Sequence, residues 1–251
     1  MAEHEPEPGP TRPAPARRRI SQLLAEIEHT EAHVPAWLRA TSPENRLPVG
    51  LALLVAIGLQ LRLPDRYGLQ PRWLMAALEL VLLGILTAIN PIRLNRSTRL
   101  GRLASIAIVA AITIDNGIAA GSLDLHIVRG STGLDAIGLL ATGAAIYATN
   151  VIVFGVWYWE LDRGGPFNRA QGMDPHPDFL FPQMTAAHLA PPDWEPLFVD
   201  YLYLSLTNVL AFSPTDTLPL SRWAKSLMAF QSVVALSTTA LVIARAVNIL
   251  K

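Results

Sequence analysis

Four side chains stand out because each falls inside an apolar run: Glu79, Asp115, Asn116 and Asn150. An acid at mid-bilayer costs about 2.5 kcal/mol or more on insertion scales, so such groups face protein or water rather than lipid. Two readings stay open for Glu79 and Asp115. They form an ion-pathway or gating pair, with Arg102 or Arg245 as partner, or they make satisfied contacts between helices, with Asp115 bonded to Asn116 or Asn150. A second polar cluster, Ser213, Thr215, Asp216 and Thr217, sets hydroxyls around one carboxylate. Catalysis has no comparable candidate. The six histidines (His4, His29, His33, His126, His176, His188) lie outside the apolar runs and show no H-E-x-x-H spacing. His29 and His33 could share a helix face, but zinc sites use three or four protein ligands. The prolines of Asp174-Pro-His176-Pro-Asp178 mark an extended loop. With no cysteine there are no disulfides, thiolate metal sites or cysteine nucleophiles. Neither a Gly-rich phosphate loop nor a G-x-S-x-G elbow occurs. No catalytic residue, resident metal or cofactor is expected.

The elements that must position these groups are read from hydropathy. The 251 residues are 51% hydrophobic and 16% charged, with mean hydropathy +0.32. A soluble domain carries about 25% charged residues, so this is a membrane composition. Zero formal net charge argues against nucleic-acid binding. Residues 1–19, rich in Pro, Ala, Glu and Arg, cannot bury apolar area and read as a disordered tail. Across 20–46, Ile20, Leu23, Leu24 and Ile27 share one face of an amphipathic helix, lying on the membrane interface or packed on protein. Three spans are expected within 47–130: a short one from Leu47 to Leu61, one from Trp73 to Ile92, and one from Leu103 to Leu123. A fourth runs from Gly133 to Tyr158 and ends in W-Y-W-E, Trp157 to Glu160, like an interfacial aromatic belt. Residues 161–193 carry no periodicity and read as an extramembrane loop long enough for a capping role. The first apolar stretch begins too late for a secretory signal.

From Trp194 onward the pattern changes. Phe198 to Val209 is apolar but far short of the about 20 residues that cross a bilayer. A polar stretch follows, and then Arg222 to Leu250, long enough to span. A half-length helix, a polar turn and a full-length helix read as a re-entrant hairpin, since irregular backbone survives at membrane depth only inside protein or along water. Tyr203 to Ser221 reads Y-L-S-L-T-N-V-L-A-F-S-P-T-D-T-L-P-L-S. This resembles the pore-loop module of the potassium-channel superfamily, in which Y-F-S-L-V-T-L-T-T-V-G-Y-G-D-x-x-P-x-T is typical. Tyr203, Ser205, Leu206, Asp216 and Pro219 match, Ser221 replaces a Thr, and the spacing has no gap. The resemblance implies an outer helix at 133–160, the loop at 161–193, a pore helix and filter-like turn at 194–219, and an inner helix at 222–250. It places Tyr203, Ser205, Thr207 and Asn208 on the pore helix, and four copies around one axis.

The departure lies in the filter. Ala211, Phe212, Ser213, Pro214, Thr215 and Asp216 stand where the family carries T-V-G-Y-G-D. Glycines allow backbone angles that turn successive carbonyls to the axis; Pro214 fixes its own φ near −65°. Hydroxyls of Ser213, Thr215 and Thr217 and a ring of Asp216 carboxylates are then the expected lining, favouring cations with looser selectivity. The expectation is an all-α bundle of about five spans with a C-terminal re-entrant hairpin, in a membrane of bacterial inner-membrane type. It would act as a homotetrameric cation channel, with the bilayer and inorganic cations as partners. The alternative is a non-conducting scaffold or sensor that keeps the module, with Asp216 capping a turn. Orientation is not fixed: arginines from Arg93 to Arg102 favour that end as cytoplasmic, whereas the resemblance puts Arg245 and Lys251 inside.

Overall fold

The computed structural model describes residues 35–42, 44–69, 71–89, 99–210 and 216–249. The tail, residues 20–34 and 43 of the amphipathic stretch, and Ala211, Phe212, Ser213, Pro214 and Thr215 lie outside the described residues. Residues from Ala36 onward form one unit, and it is mostly helical. We label its elements α1 (Leu47–Leu61), α2 (Arg72–Ile89), α3 (Arg99–Val128), α4 (Ala136–Leu161), α5 (Pro166–Ala170), β1 (Phe179–Leu180), α6 (Pro182–Thr185), α7 (Phe198–Leu210), β2 (Leu218–Pro219) and α8 (Arg222–Ile249). Three of them, α3, α4 and α8, are long and apolar enough to cross a membrane, and α1 and α2 are shorter apolar helices. The chain is a helical integral membrane protein.

Local chemistry sets the boundaries. The helix α1 begins with Pro48 in its first turn, where a missing N–H is harmless. Pro64 prevents its continuation. At 30 residues, α3 is about 45 Å long at 1.5 Å per residue, half as long again as a hydrocarbon core. It ends where Gly130 takes φ +68°. There Ser131 N–H donates to the His126 carbonyl at 2.9 Å and Gly130 N–H to that of Ile127 at 3.0 Å, the paired closure of a Schellman end. Asp135 then caps α4, its Oδ1 accepting from Gly138 N–H at 2.8 Å. Gly133 sits before that cap with φ +59°, so the helix begins three residues later than hydropathy alone places it.

The centre of the bundle is α4, which packs against α1, α3, α7 and α8. Its buried residues run along every face, from Leu139 and Ile146 to Val153, Phe154, Val156, Tyr158 and Trp159. The aromatic group at its end is therefore not an interfacial belt: Tyr158 and Trp159 are fully buried. Their rings have a protein partner for each polar tip, Gln231 Oε1 for the Tyr158 hydroxyl and Glu44 Oε2 for Trp159 Nε1, so they pay no penalty for leaving the interface. The start of α3 meets this same end of α4, Ser105 donating to Glu160 Oε2 at 2.8 Å.

Close approach of α7 to α4 depends on Gly155. A Cβ there would lie 3.1 Å from Leu202 Cα and 3.3 Å from Leu202 Cδ1. Gly155→Val should push the two helices apart and destabilise the protein by about 1–3 kcal/mol. Thermal unfolding in a fixed detergent checks this, with Gly117→Val as control, since no atom lies within 4 Å of a Cβ there.

Candidate functional site

Of the filter-like residues only Asp216 is described, and it is exposed. What surrounds Ala211–Thr215 on both sides is built in detail. On the near side α7 is 13 residues long, about 20 Å, and lies against α4 and α8. Ser205 Oγ donates to the Val151 carbonyl of α4 at 2.7 Å. Gln231 of α8, fully buried, donates from Nε2 to Ser205 Oγ at 2.7 Å and to the Ser205 carbonyl at 3.2 Å. Its Oε1 accepts from Tyr158 Oη at 2.5 Å and from Asn208 Nδ2 at 2.8 Å. Asn208 Nδ2 also donates to the Met228 carbonyl at 3.0 Å. One amide thus joins three helices, every bond satisfied, which in a low-dielectric interior specifies a single packing.

Two of the four expected pore-helix residues, Ser205 and Asn208, face this interior. The other two do not. Tyr203 is 59% exposed, and Thr207 Oγ1 bonds back to its own helix, to the Tyr203 carbonyl at 2.9 Å.

On the far side the chain leaves the turn through Thr217, which is buried and so turned into the subunit rather than exposed beside Asp216. It then forms β2, which pairs antiparallel with β1, Phe179 opposite Pro219 and Leu180 opposite Leu218. Leu220 N–H donates to the Asp178 carbonyl at 2.8 Å, and Trp223 Nε1 donates to Asp178 Oδ1 at 2.8 Å. Asp178 Oδ2 accepts from Arg163 N–H at 2.9 Å. The stretch 161–193 is therefore folded onto the bundle, not free beyond it.

Both flanks converge on the end of α4. Asp162, fully buried, accepts on Oδ2 from Tyr201 Oη of α7 at 2.6 Å and on Oδ1 from Asp178 N–H at 2.9 Å. The chain reverses there through Arg163, Gly164 and Gly165 at φ +51°, +74° and +100°. Arg163 is the one described non-glycine residue with positive φ, and its guanidinium donates to the Asp174 carbonyl at 2.6 Å and to that of Trp37 at 2.5 Å. Arg169 completes the frame. It donates to the Trp159 carbonyl at 2.6 Å, the Asp162 carbonyl at 3.0 Å and Glu44 Oε1 at 3.0 Å, and lies over the Tyr201 ring at 5.0 Å. Burial works against its charge, but Tyr201, Glu44 and Asp162 more than offset this and hold the guanidinium above its ordinary range.

Comparison with protein families, characterised proteins and solved structures finds no match to this chain. The site is therefore judged on its own chemistry. Among the described residues no group of three or more histidine or acidic side chains could hold a metal. The described geometry fixes the chain on either side of residues 211–215 and leaves the Asp216 carboxylate exposed.

The intramembrane set divides. Glu79 and Asp115 reach a common void with Gln60. Asp115 bonds neither Asn116 nor Asn150: it accepts from Gln60 Nε2 at 3.1 Å and from Leu69 N–H at 3.1 Å. Asn116 and Asn150 are both buried at 2% exposure.

Asp162, Asp178, Tyr201, Arg169, Glu44 and Gln231 were not marked by sequence. The one available signal was the density of charged and aromatic residues in W-Y-W-E-L-D-R-G-G-P-F-N-R. Tyr201→Phe should destabilise by about 1–3 kcal/mol, because the buried Asp162 oxygen loses its donor. Hydrogen exchange should show faster opening across α7 than across α3, and equal change in both would refute this placement of the tie.

Proposed function

We propose that the chain is one subunit of an oligomeric cation-channel-like protein, with α4 as outer helix, α7 as re-entrant pore helix, residues 211–216 as an atypical filter and α8 as inner helix. The observation that carries this is the clamping of a half-length helix between two long ones, with the chain before residues 211–215 held by α4 and α8 and the chain after them held by Asp178 and β1. A link between two helices alone would not need the buried Asp162 and the half-buried Asp178 to fix the elements that flank it. The resemblance of Tyr203–Ser221 to potassium-channel pore loops points the same way and implies four copies.

The outer surfaces agree with assembly. Val199, Tyr203 and Leu210 of α7 and Phe230, Val233, Leu236, Ile243 and Val247 of α8 are exposed in the single chain. Exposed Ser226, Ala229, Ser237, Ala240 and Ala244 among them allow the close backbone approach by which helices associate in lipid. With Pro214 and Phe212 replacing the residues of a carbonyl ladder, Asp216 and the hydroxyls supply the cation preference, and selectivity among monovalent cations is loose.

Phe212 and Pro214 also support a second reading, a scaffold or sensor that retains the module and does not conduct. Two measurements decide. Native mass in lipid nanodiscs should give a tetramer, and a monomer favours the second reading. Proteoliposome flux of monovalent cations should fall severalfold in Asp216→Ala; unchanged flux removes Asp216 from the pathway, and no flux in the parent protein removes the channel.

A further inference from the structure

Away from the turn, the carboxyl groups of Glu79 on α2 and Asp115 on α3 meet at a void of about 10 Å³, lined also by Gln60 and Leu61 of α1 and by Met75 and Ala76. That is room for one body of water size or less. Glu79 is 1% exposed and Asp115 8%. The two acids are differently served. Both Asp115 oxygens have a donor, Gln60 Nε2 and Leu69 N–H. Glu79 Oε1 accepts from none of the described residues.

Positive charge to balance them is missing from the lining. No Lys or Arg borders the void among the described residues. Arg62 and Asp65, on the linker after α1, are exposed. Arg66 donates to the Thr132 carbonyl and lies over the Tyr67 ring. A buried carboxylate without a counter-charge is among the costliest arrangements in a protein.

Glu79 Oε1 has no hydrogen-bond partner among the described residues, and Glu79 borders the void. Hydrated Mg²⁺ needs more room, and Ca²⁺ needs 6–8 oxygens, more than two carboxylates and one amide provide. We infer that this void is a binding site for one desolvated monovalent cation of sodium size, held by the Glu79 and Asp115 carboxylates, with Gln60 and the Leu69 amide orienting Asp115. The ion joins α2 to α3. The site is independent of the pore reading, since its described lining residues lie on α1, α2 and α3.

The test uses the full chain in nanodiscs of fixed lipid composition. N-methylglucamine chloride is replaced stepwise by sodium chloride at constant ionic strength, and bound radiolabelled sodium and the melting temperature are recorded. One sodium per chain bound at this site and a sodium-dependent rise in Tm are expected. Both should be lost in Glu79→Gln and in Asp115→Asn, and both should survive in Asp216→Ala, which separates this site from the turn. Sodium uptake no greater than background, or uptake unchanged in Glu79→Gln and Asp115→Asn, overturns the inference. So does an infrared band of a protonated carboxyl that Glu79→Gln removes and sodium does not, for then a proton balances the charge. Wild-type stoichiometry and Asp115→Asn keep the test decisive if Glu79→Gln does not fold.

Discussion

The carboxylate of Asp162 is the group on which the rest of the C-terminal half depends. It is removed from water at the end of the most enclosed helix, and an unpaired charge in that position would cost several kcal/mol. The structure meets the requirement with two donors to the carboxylate and a cation beside it. Tyr201 comes from α7, the Asp178 amide from the stretch before β1, and Arg169 bonds the Asp162 carbonyl from α5. Because these donors come from distant parts of the sequence, satisfying one acid draws α7, the β1 strap and α5 onto α4. Asp178 repeats the arrangement one step outward, binding Arg163 and Trp223. Aromatic rings close over the pair: Phe179 packs on Tyr158, Tyr201 and Trp223 with centroids 5.1, 6.4 and 5.6 Å apart. Their apolar bulk excludes water, which strengthens each hydrogen bond beneath.

A second polar knot, at Gln231, joins α4, α7 and α8. It differs in being neutral, and its donors and acceptors are matched by side chains and carbonyls with none left over at the amide. Between the two knots α7 is fixed along its length, at Tyr201 near its start and at Ser205 and Asn208 further on. Hydrophobic area alone could not do this in lipid, where a surrounding acyl chain is as apolar as leucine. Polar contacts and the close fit at Gly155 give α7 its place.

Helix existence was legible in the sequence because it follows from local composition. The apolar runs correspond to α1, α2, α3, α4 and α8, and the shortness of α7 is visible in where its apolar residues stop. Asp135 and the glycines at 130 and 133 explain why α4 starts later than hydropathy placed it. The frame was not legible. Its contacts join residues far apart, such as Thr41 Oγ1 with Glu195 Oε2 at 2.8 Å, and 161–193 has no periodicity because side chain-to-backbone bonds rather than regular structure hold it. Trp157-Tyr158-Trp159 misled for a related reason. Aromatic residues with polar tips suit an interface and suit a hydrogen-bonded interior equally well, and only the partners decide between them. Glu79 and Asp115 were legible as unusual, but Gln60, which donates to Asp115 and borders the same void, lies on another helix.

The place where α7 stops also has an electrostatic sense. Its peptide dipoles add head to tail, leaving about half a negative elementary charge at the carboxyl end, and its last carbonyls have no partner within the helix. That end is Leu210, immediately before residues 211–215. This fixed field of carbonyl oxygens carries no proton and so does not vary with pH. In the proposed oligomer the backbone ends of α7 would add to Asp216 in favouring positive charge.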